Sequence, residues 1–334
     1  MAIVWSASKF DMAHECLRRY DYAYNKGVTE RTTPAMALGI FLHHKQERFF
    51  KEDLDFRPRE RIERFYAPTN QPKNKSPEAF ANACGGQWKR LVRRDLEKDH
   101  KIGWSYDQEP YVYLAALREL SLKMYDRNVT EGPPLLAELW FETIPLKHKD
   151  HAHYFRGGID DVRKKDGALL VRDYKTGWDV LPQYELYYDD SQFTLYGLAL
   201  IYTLATNPRI ALRCGLNPDE TKKWVGKEAD MIPSLLMERS EVRRGVDRRT
   251  TRTRMHAEEL FETLDGLEMQ IERNLFPASR EERRCRRCGA YASCIRDFRS
   301  NKSSYAQKLL FYEHEARTER PEALKVRQRS LRFS

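Results

Sequence analysis

Long apolar runs are missing from this chain of 334 residues. No run approaches the ~20 apolar residues that a membrane-spanning helix requires. The N-terminal residues also lack a basic segment followed by a long apolar core, so we expect no export signal. These absences predict a cytoplasmic protein without a membrane partner.

Cysteine is also scarce, since the chain has 6, far below the density of a disulfide-stabilised scaffold. In a reducing compartment, clustered thiols usually hold metal. Cys285, Cys288 and Cys294 form such a cluster with the spacing C-x2-C-x5-C. A closed metal site or a cubane cluster requires a fourth ligand. Ligand chemistry alone leaves zinc and iron–sulfur both open.

Internal repeats and a G-x4-G-K-[ST] phosphate-binding loop are absent too. The missing phosphate-binding loop argues against an ATP-driven motor.

Aromatic residues are plentiful: 12% aromatic and 41% hydrophobic content exclude a disordered chain. Lysine and arginine number 59 against 50 acidic residues, a formal net charge of +9. This basic excess favours an anionic partner, most often nucleic acid.

The pattern of apolar residues predicts an α/β chain that forms a single domain, residues 1–334. Residues 50–130 are helical and highly charged, and we interpret them as an insertion into that domain. The other predicted elements are a helix over 35–52, strands over 136–146, 154–163 and 168–175, a helix over 191–204, a strand over 232–237 and a helix over 255–274.

The segment over 154–175 is the most informative in the sequence. Asp166-Gly167 between two apolar runs predicts a hairpin with a two-residue type I′ turn. In that register Val162 faces Val171, and Asp160 faces Asp173. Facing side chains lie about 5 Å apart at Cβ on one face of the sheet. Two opposed carboxylates repel, so we expect a divalent cation such as Mg²⁺ or Mn²⁺ between them.

Lys175 lies two residues beyond Asp173 and therefore on the same face of the strand. Two carboxylates, a lysine and a metal can activate water and stabilise charge developing at a phosphate. The pattern D-x-K alone is weak, because Asp99-His100-Lys101 also matches it in a polar helical stretch. The buried character of the preceding strand distinguishes Asp173.

Other candidate residues lie outside the hairpin. His43 or His44 could add a metal ligand, and Gln192 and Tyr196 share one helical face. A basic stretch could follow a phosphate backbone or form a solvated surface, as could the tail after Arg317. The arginines of that stretch are Arg243, Arg244, Arg248, Arg249, Arg252 and Arg254.

Taken together, these motifs resemble the PD-(D/E)xK nuclease superfamily. The closer resemblance is to its RecB-like, AddB-like iron–sulfur branch, which includes CRISPR-associated iron–sulfur exonucleases. The matching motifs occur in the family's order: Ser6-x-Ser8 leading to Cys16, Gly39-x3-His43-x3-Glu47, Gly157-x-Ile159-Asp160, Asp173-Tyr174-Lys175, Gln192-x3-Tyr196 and the C-terminal C-x2-C-x5-C.

The resemblance implies a restriction-endonuclease-like fold, in which a central mixed sheet is flanked by helices. It implies that His43, Asp160, Asp173 and the Tyr174 carbonyl bind Mg²⁺ or Mn²⁺. Lys175 would position or activate the attacking water, and Gln192 and Tyr196 would complete the catalytic site.

The resemblance also implies a cofactor. Residues 1–30 and 275–300 would form a lobe that joins the two ends of the chain through a [4Fe–4S] cluster, with Zn²⁺ as the alternative. Its ligands would be Cys16, Cys285, Cys288 and Cys294. Cys84 and Cys214 have no place in this scheme and are expected to be ordinary thiols.

These implications predict a metal-dependent DNA nuclease, an exonuclease that acts on DNA ends or single strands. DNA repair or recombination, phage DNA processing and CRISPR adaptation are all open as its pathway. A separate helicase, or a recombination or CRISPR adaptation protein, would be its partner. Two alternatives remain: a non-catalytic nucleic-acid-binding protein with a four-cysteine zinc site, and a hydrolase directed at RNA.

Overall fold

A computed structural model of the chain describes residues 2–28, 32–51, 64–66, 76–99, 101–104, 109–177, 182–188, 190–279, 285 and 288–300. The chain divides into two compact units. We call the first the sheet unit, Met1–Ser8 and Arg31–Asp265. The second is the cysteine unit, Lys9–Glu30 and Gly266–Ser334.

Within the described residues, one sheet of seven strands forms the centre of the sheet unit. The strands follow one another in the order β2-β3-β4-β5-β6-β7, and β1 pairs with β4. The β1–β4 and β5–β6 pairs are parallel and the others antiparallel. The predicted mixed sheet is therefore confirmed. Its strands are β1 Val4–Trp5, β2 Arg64–Tyr66, β3 Leu136–His148, β4 His151–Lys165, β5 Ala168–Lys175, β6 Leu235–Glu241 and β7 Val246–Thr251.

Helices of the sheet unit flank the sheet. Two helices, α1 and α11, have residues in both units, and α2 and α12 belong to the cysteine unit. The helices are α1 Ala7–Glu15, α2 Leu17–Tyr20, α3 Pro34–Lys51, α4 Pro77–Arg94, α5 Glu109–Glu131, α6 Gln183–Tyr188, α7 Ser191–Thr206, α8 Pro208–Arg213, α9 Pro218–Thr221, α10 Glu228–Met231, α11 Arg254–Glu272 and α12 Tyr291–Ser300. None of the helices in the described ranges has the length and apolarity needed to cross a membrane.

The β4–β5 hairpin has the register that its turn predicts. Asp166 and Gly167 both have positive φ, 51° and 83°, as a type I′ turn requires. Val162 pairs with Val171, and the last recorded pair of the ladder is Asp161 with Arg172. The recorded ladder thus ends one position before the predicted pair of Asp160 and Asp173.

Helix α7 is apolar almost all round and packs against β3, β4 and β5. It begins where the Asp190 carboxylate accepts a hydrogen bond of 3.3 Å from the Phe193 amide. Gly197 lets the helix approach the sheet, because a Cβ there would lie 2.7 Å from Met237 Cε. The side chains at the N-terminal end of α7 are thereby held against the end of β5.

Three of the predicted boundaries are wrong. The predicted strand at 232–237 begins only at Leu235, because Ile232–Ser234 forms a 3-10 turn that contains Pro233. Strand β3 continues past Pro145 to His148, where only β4 pairs with it in the described part of the chain. Within the predicted helical insertion, Arg64–Tyr66 is a strand that pairs with β3.

Candidate active site

Two buried carboxylates lie where β4 and β5 run side by side. Asp160 is 9% exposed and Asp173 is 3% exposed. The Asp160 Oδ2 atom accepts a hydrogen bond of 2.8 Å from the Tyr174 backbone amide. This bond fixes the Asp160 carboxylate against β5, directly beside Asp173.

Helix α3 brings His43 to the same place. Its Nδ1 atom lies 3.1 Å from Asp160 Oδ1. Gly39, one helical turn earlier, allows α3 to approach the end of β5, since a Cβ there would lie 3.3 Å from Thr176 Oγ1. The glycine and the histidine of the G-x3-H pattern thus share one helix face. His44 is exposed, and the side chain of Glu47 lies outside the described part of the structure.

Glu138 completes this group, and sequence reasoning did not select it as a site residue. Ligand atoms of His43, Glu138 and Asp160 all lie within 4.8 Å of one another. Pairing of Ala137 with Asp161 and Leu139 with Ile159 places Glu138 opposite Asp160. Its φ of 49° is unusual for a residue other than glycine. In the sequence, Glu138 is visible only as an acidic residue in the strand before the hairpin. Which residue it faces depends on the β3–β4 register.

Asp173 takes part in a second set of contacts, with Lys175 and helix α7. The Lys175 amine lies 2.8 Å from Asp173 Oδ2 and donates a hydrogen bond of 3.0 Å to Gln192 Oε1. The Gln192 amide nitrogen donates to Asp173 Oδ1 at 2.8 Å and to the Tyr196 hydroxyl at 2.7 Å. The Q-x3-Y helix therefore orients the carboxylate and the lysine together.

Burial and mutual charge determine the protonation of the site. Burial opposes a charge on His43, but Asp160, Asp173 and Glu138 outweigh it and raise the pKa of His43 to about 9. Burial acts to raise the pKa of Asp160, yet His43, the Tyr174 amide and Lys175 together lower it. The pKa of Asp173 is raised, because burial and the nearby charge of Asp160 outweigh the opposite effect of Lys175. Burial disfavours the charged Lys175, and Asp173 raises its pKa nevertheless.

The opposite face of β5 carries the side chains that hold the hairpin in place. The Tyr174 hydroxyl donates to Asp161 Oδ2 at 2.7 Å, and Arg163 Nε donates to the same oxygen at 2.8 Å. Arg172 is 1% exposed, and its Nε donates to Glu238 on β6 at 2.7 Å. Because strand residues alternate between faces, this network supports Asp173 and Lys175 from behind. The Tyr174 carbonyl stays a predicted ligand.

The donors His43, Glu138 and Asp160 fit a divalent cation. Two carboxylates supply hard oxygen ligands suited to Mg²⁺ or Mn²⁺, and the imidazole nitrogen suits Mn²⁺ better than Mg²⁺. Asp173 is outside this group of three, and its carboxylate contacts Lys175 and Gln192. Like the Tyr174 carbonyl, it stays a predicted ligand. The site can therefore hold a metal beside a lysine and a second carboxylate.

The arginine stretch contains both exposed and buried members: Arg244, Arg249 and Arg254 are exposed. Arg252 is 1% exposed and donates to the Leu186 and Asp190 carbonyls at 2.9 Å and 2.8 Å. Arg249 lies 3.0 Å from Glu238 and Arg248 lies 3.3 Å from Glu241. Arg248 and Arg249 lie within strand β7, and the basic tail after Arg317 lies outside the described residues.

The four cysteines of the resemblance lie in the cysteine unit, where the sulfur atoms of Cys16 and Cys285 both contact Ser279. Cys16 immediately precedes α2, and its sulfur accepts a hydrogen bond of 3.3 Å from the Ser279 amide. The Cys285 thiol approaches the Ser279 carbonyl at 3.8 Å. Burial, followed by the thiols of Cys16, Cys285 and Cys288, raises the pKa of Cys294 to about 12.

Two further observations concern the cysteines. The compact groups of potential metal ligands found among the described residues do not include the four of the cysteine unit. Cys84 and Cys214 are buried in the sheet unit, 2% and 1% exposed. Burial raises the pKa of both thiols.

Comparison with known proteins adds one finding on the family. The sequence profile of the PD-(D/E)XK nuclease superfamily matches residues 4–295, which include the β4–β5 hairpin, α3, α7 and all four cysteines of the cysteine unit. No curated protein matches the chain.

Proposed function

The chain belongs to the PD-(D/E)XK nuclease superfamily, whose members are typically metal-dependent phosphodiester-cleaving nucleases, and we propose that it is an Mg²⁺- or Mn²⁺-dependent deoxyribonuclease. We place it in the iron–sulfur branch and propose that it is an exonuclease acting on DNA ends or single strands. The observation that carries this proposal is the meeting of His43, Asp160 and Glu138 beside the Asp173–Lys175 pair.

In this proposal, the scissile phosphate would bind at the ligand group. A divalent ion held by His43, Glu138 and Asp160 would polarise the phosphate and lower the pKa of a bound water. The Tyr174 amide keeps the Asp160 carboxylate aimed at the ligand group. The α3 backbone, held close to Thr176 at Gly39, brings the imidazole into the same group.

Lys175 and Asp173 lie beside this group and act on the attacking water and the developing charge. The Lys175 side chain is 30% exposed, so it is partly accessible to solvent. It can donate a hydrogen bond to an incoming water or to a phosphate oxygen, where a fixed cation stabilises developing negative charge. Gln192 and Tyr196 are positioning residues that limit the motion of the amine and the carboxylate.

Purified full-length protein tests the nuclease proposal directly. End-labelled single-stranded and double-stranded linear DNA, closed circular DNA and single-stranded RNA are incubated with Mn²⁺ or Mg²⁺ and compared with chelator controls. We expect metal-dependent shortening of linear DNA and intact circles. Cutting of the circles would refute exonuclease specificity. Absence of cleavage with either metal would favour the non-catalytic binding protein, and preferential cleavage of RNA would favour the RNA-directed hydrolase.

We further propose a [4Fe–4S] cluster on Cys16, Cys285, Cys288 and Cys294. Support comes from the resemblance and from the contacts that the sulfur atoms of Cys16 and Cys285 both make with Ser279. Cys16 and Cys285 are 269 positions apart, and closing such a loop costs roughly 5 kcal/mol in chain entropy. Ligand bonds formed only in the folded state offset that cost, so the cluster would stabilise the fold.

Metal analysis of anaerobically purified protein tests this assignment. We expect about four irons and four sulfides per chain, as the [4Fe–4S] composition requires. One zinc without iron or sulfide would establish the zinc alternative instead.

The cellular setting of the activity is also proposed from the resemblance. We place the enzyme in the cytoplasm, in DNA repair or recombination, phage DNA processing or CRISPR adaptation. A separate helicase, or a recombination or CRISPR adaptation protein, would supply the DNA end. Co-purification from the native host would identify that partner.

A further inference from the structure

A second cluster of metal-ligating side chains lies in the sheet unit, at the β3–β4 turn. His148 ends β3, His153 lies in β4, and Asp265 lies on α11. Ligand atoms of these three residues all lie within 4.8 Å of one another. We propose that they bind one borderline transition-metal dication, Zn²⁺ or a similar ion such as Co²⁺, independently of the candidate active site.

The hairpin register places both imidazoles on one face of the sheet. His148 pairs with His151, and Leu146 pairs with His153, across a two-residue turn. Directly opposed residues share a face, and residues two apart in a strand share it as well, so His148 and His153 are diagonal neighbours. The register of β3 and β4 thus brings together two histidines that the chain separates by five positions.

Helix α11 supplies the third ligand and the packing. His148 Nδ1 lies 3.6 Å from Asp265 Oδ2, and His153 Nε2 lies 3.2 Å from Asp265 Oδ1. Phe261, one turn earlier on α11, stacks on the imidazoles of His148 and His153 with centroid distances of 5.0 Å and 5.7 Å. Both rings are therefore held with a nitrogen directed at the carboxylate.

The distances from the imidazoles to Asp265, which run to different carboxylate oxygens, are compatible with a shared metal. A tetrahedral zinc with nitrogen and oxygen ligands at about 2.0–2.2 Å separates those ligands by roughly 3.4 Å. The two distances, 3.2 Å and 3.6 Å, fall on either side of that value. The longer one exceeds hydrogen-bond range, and the buried His148 Nδ1 makes no hydrogen bond within the described part of the chain. A bound cation would satisfy that nitrogen.

The ligand chemistry selects the class of metal. Two imidazoles and one carboxylate suit zinc and neighbouring first-row dications, whereas Mg²⁺ prefers oxygen ligands throughout. Three protein ligands leave one position for water. The ion would link the β3–β4 turn to helix α11 at Asp265.

Zinc binding by the full-length protein in excess Mg²⁺ tests the proposal. The test variants are His148→Gln and Asp265→Asn, and the matched controls are the exposed residues His14→Gln and Asp150→Asn. After dialysis against buffered zinc, the parent and controls should each hold one zinc more than the test variants. Because the cysteines and the candidate active site are unchanged, the difference reports on this cluster alone.

Thermal unfolding gives a second readout that does not depend on nuclease activity. At zinc 100-fold above its Kd, the folded-to-unfolded ratio of the parent should rise about 100-fold, and the test variants should lose that gain. With Co²⁺, the parent should show visible bands that are absent from both test variants. Asp265 is 42% exposed, so its variant should fold even if the histidine variant does not. Equal zinc content and equal zinc-dependent melting shifts in parent and Asp265→Asn would overturn the proposal.

Discussion

Lys175→Ala should reduce metal-dependent DNA cleavage by about 100-fold or more. The change removes the amine that lies 2.8 Å from Asp173 and donates to Gln192. Removing a single fixed donor that stabilises developing charge typically costs about 10²–10³ in kcat, or roughly 2.7–4 kcal/mol. Because Asp160, His43 and Glu138 remain in place, the metal affinity should change much less than kcat.

The same substitution should lower stability only modestly. Breaking a buried ion pair by removing one partner costs about 3–5 kcal/mol when both groups are desolvated. Here the lysine side chain is 30% exposed, and Gln192 still donates to Asp173 at 2.8 Å. Asp173 can also take up a proton, because burial already raises its pKa. We therefore expect a loss of about 1–2 kcal/mol, which lowers Tm by roughly 2–6 °C.

Single-turnover cleavage of end-labelled DNA with saturating Mn²⁺ measures the effect, and thermal unfolding checks the fold. The control is Lys101→Ala, which removes the lysine of the other D-x-K match. In that match Asp99 pairs with Arg94 at 3.1 Å instead of facing a second carboxylate. The control should cleave like the parent. Cleavage by Lys175→Ala within about threefold of the parent, at an unchanged Tm, would refute the role assigned to the amine.

Three further predictions follow from the geometry. His43→Ala should weaken Mn²⁺ affinity at least about tenfold in a metal titration, whereas the exposed His44→Ala should not; the reverse ranking would contradict the ligand set. Arg252→Met should destabilise the fold by about 2–4 kcal/mol, since it leaves buried carbonyls without a donor. Unchanged stability with weaker, less salt-dependent DNA binding would instead identify Arg252 as a phosphate contact. Cys16→Ser should abolish the brown iron–sulfur absorbance and lower Tm, and Cys84→Ser should keep the colour; a brown Cys16→Ser protein would exclude Cys16 as a ligand.

The β4–β5 hairpin shows what local sequence can predict. A two-residue turn with positive φ at both positions is specified by Asp166-Gly167, and the turn determines every facing pair beyond it. The register up to Asp161 and Arg172 therefore required no knowledge of the rest of the fold, and the facing pair of Asp160 and Asp173 stays a prediction from that turn. Likewise, the spacing of Gln192 and Tyr196 already placed both on one helix face.

Long-range packing decided the remaining features. Glu138 contributes to the ligand group only because β3 pairs with β4 in a register that no local signal specifies. In the sequence, Arg252 is one of six similar arginines. Only the tertiary structure shows that it is buried and donates hydrogen bonds to the Leu186 and Asp190 carbonyls at α6 and the start of α7.

By itself, the sequence determined the elements whose causes are local: the type I′ turn, the alternation that puts Asp173 and Lys175 on one face, and the helical spacing of the G-x3-H motif. The tertiary structure alone decided which distant side chains meet them. His148 and His153 face Asp265 through the β3–β4 register and the packing of Phe261 on α11. The preferences that form a turn, and those that give a helix or a strand its periodicity, act over a few residues. Contacts between residues a hundred positions apart depend instead on the free energy of the whole packed core.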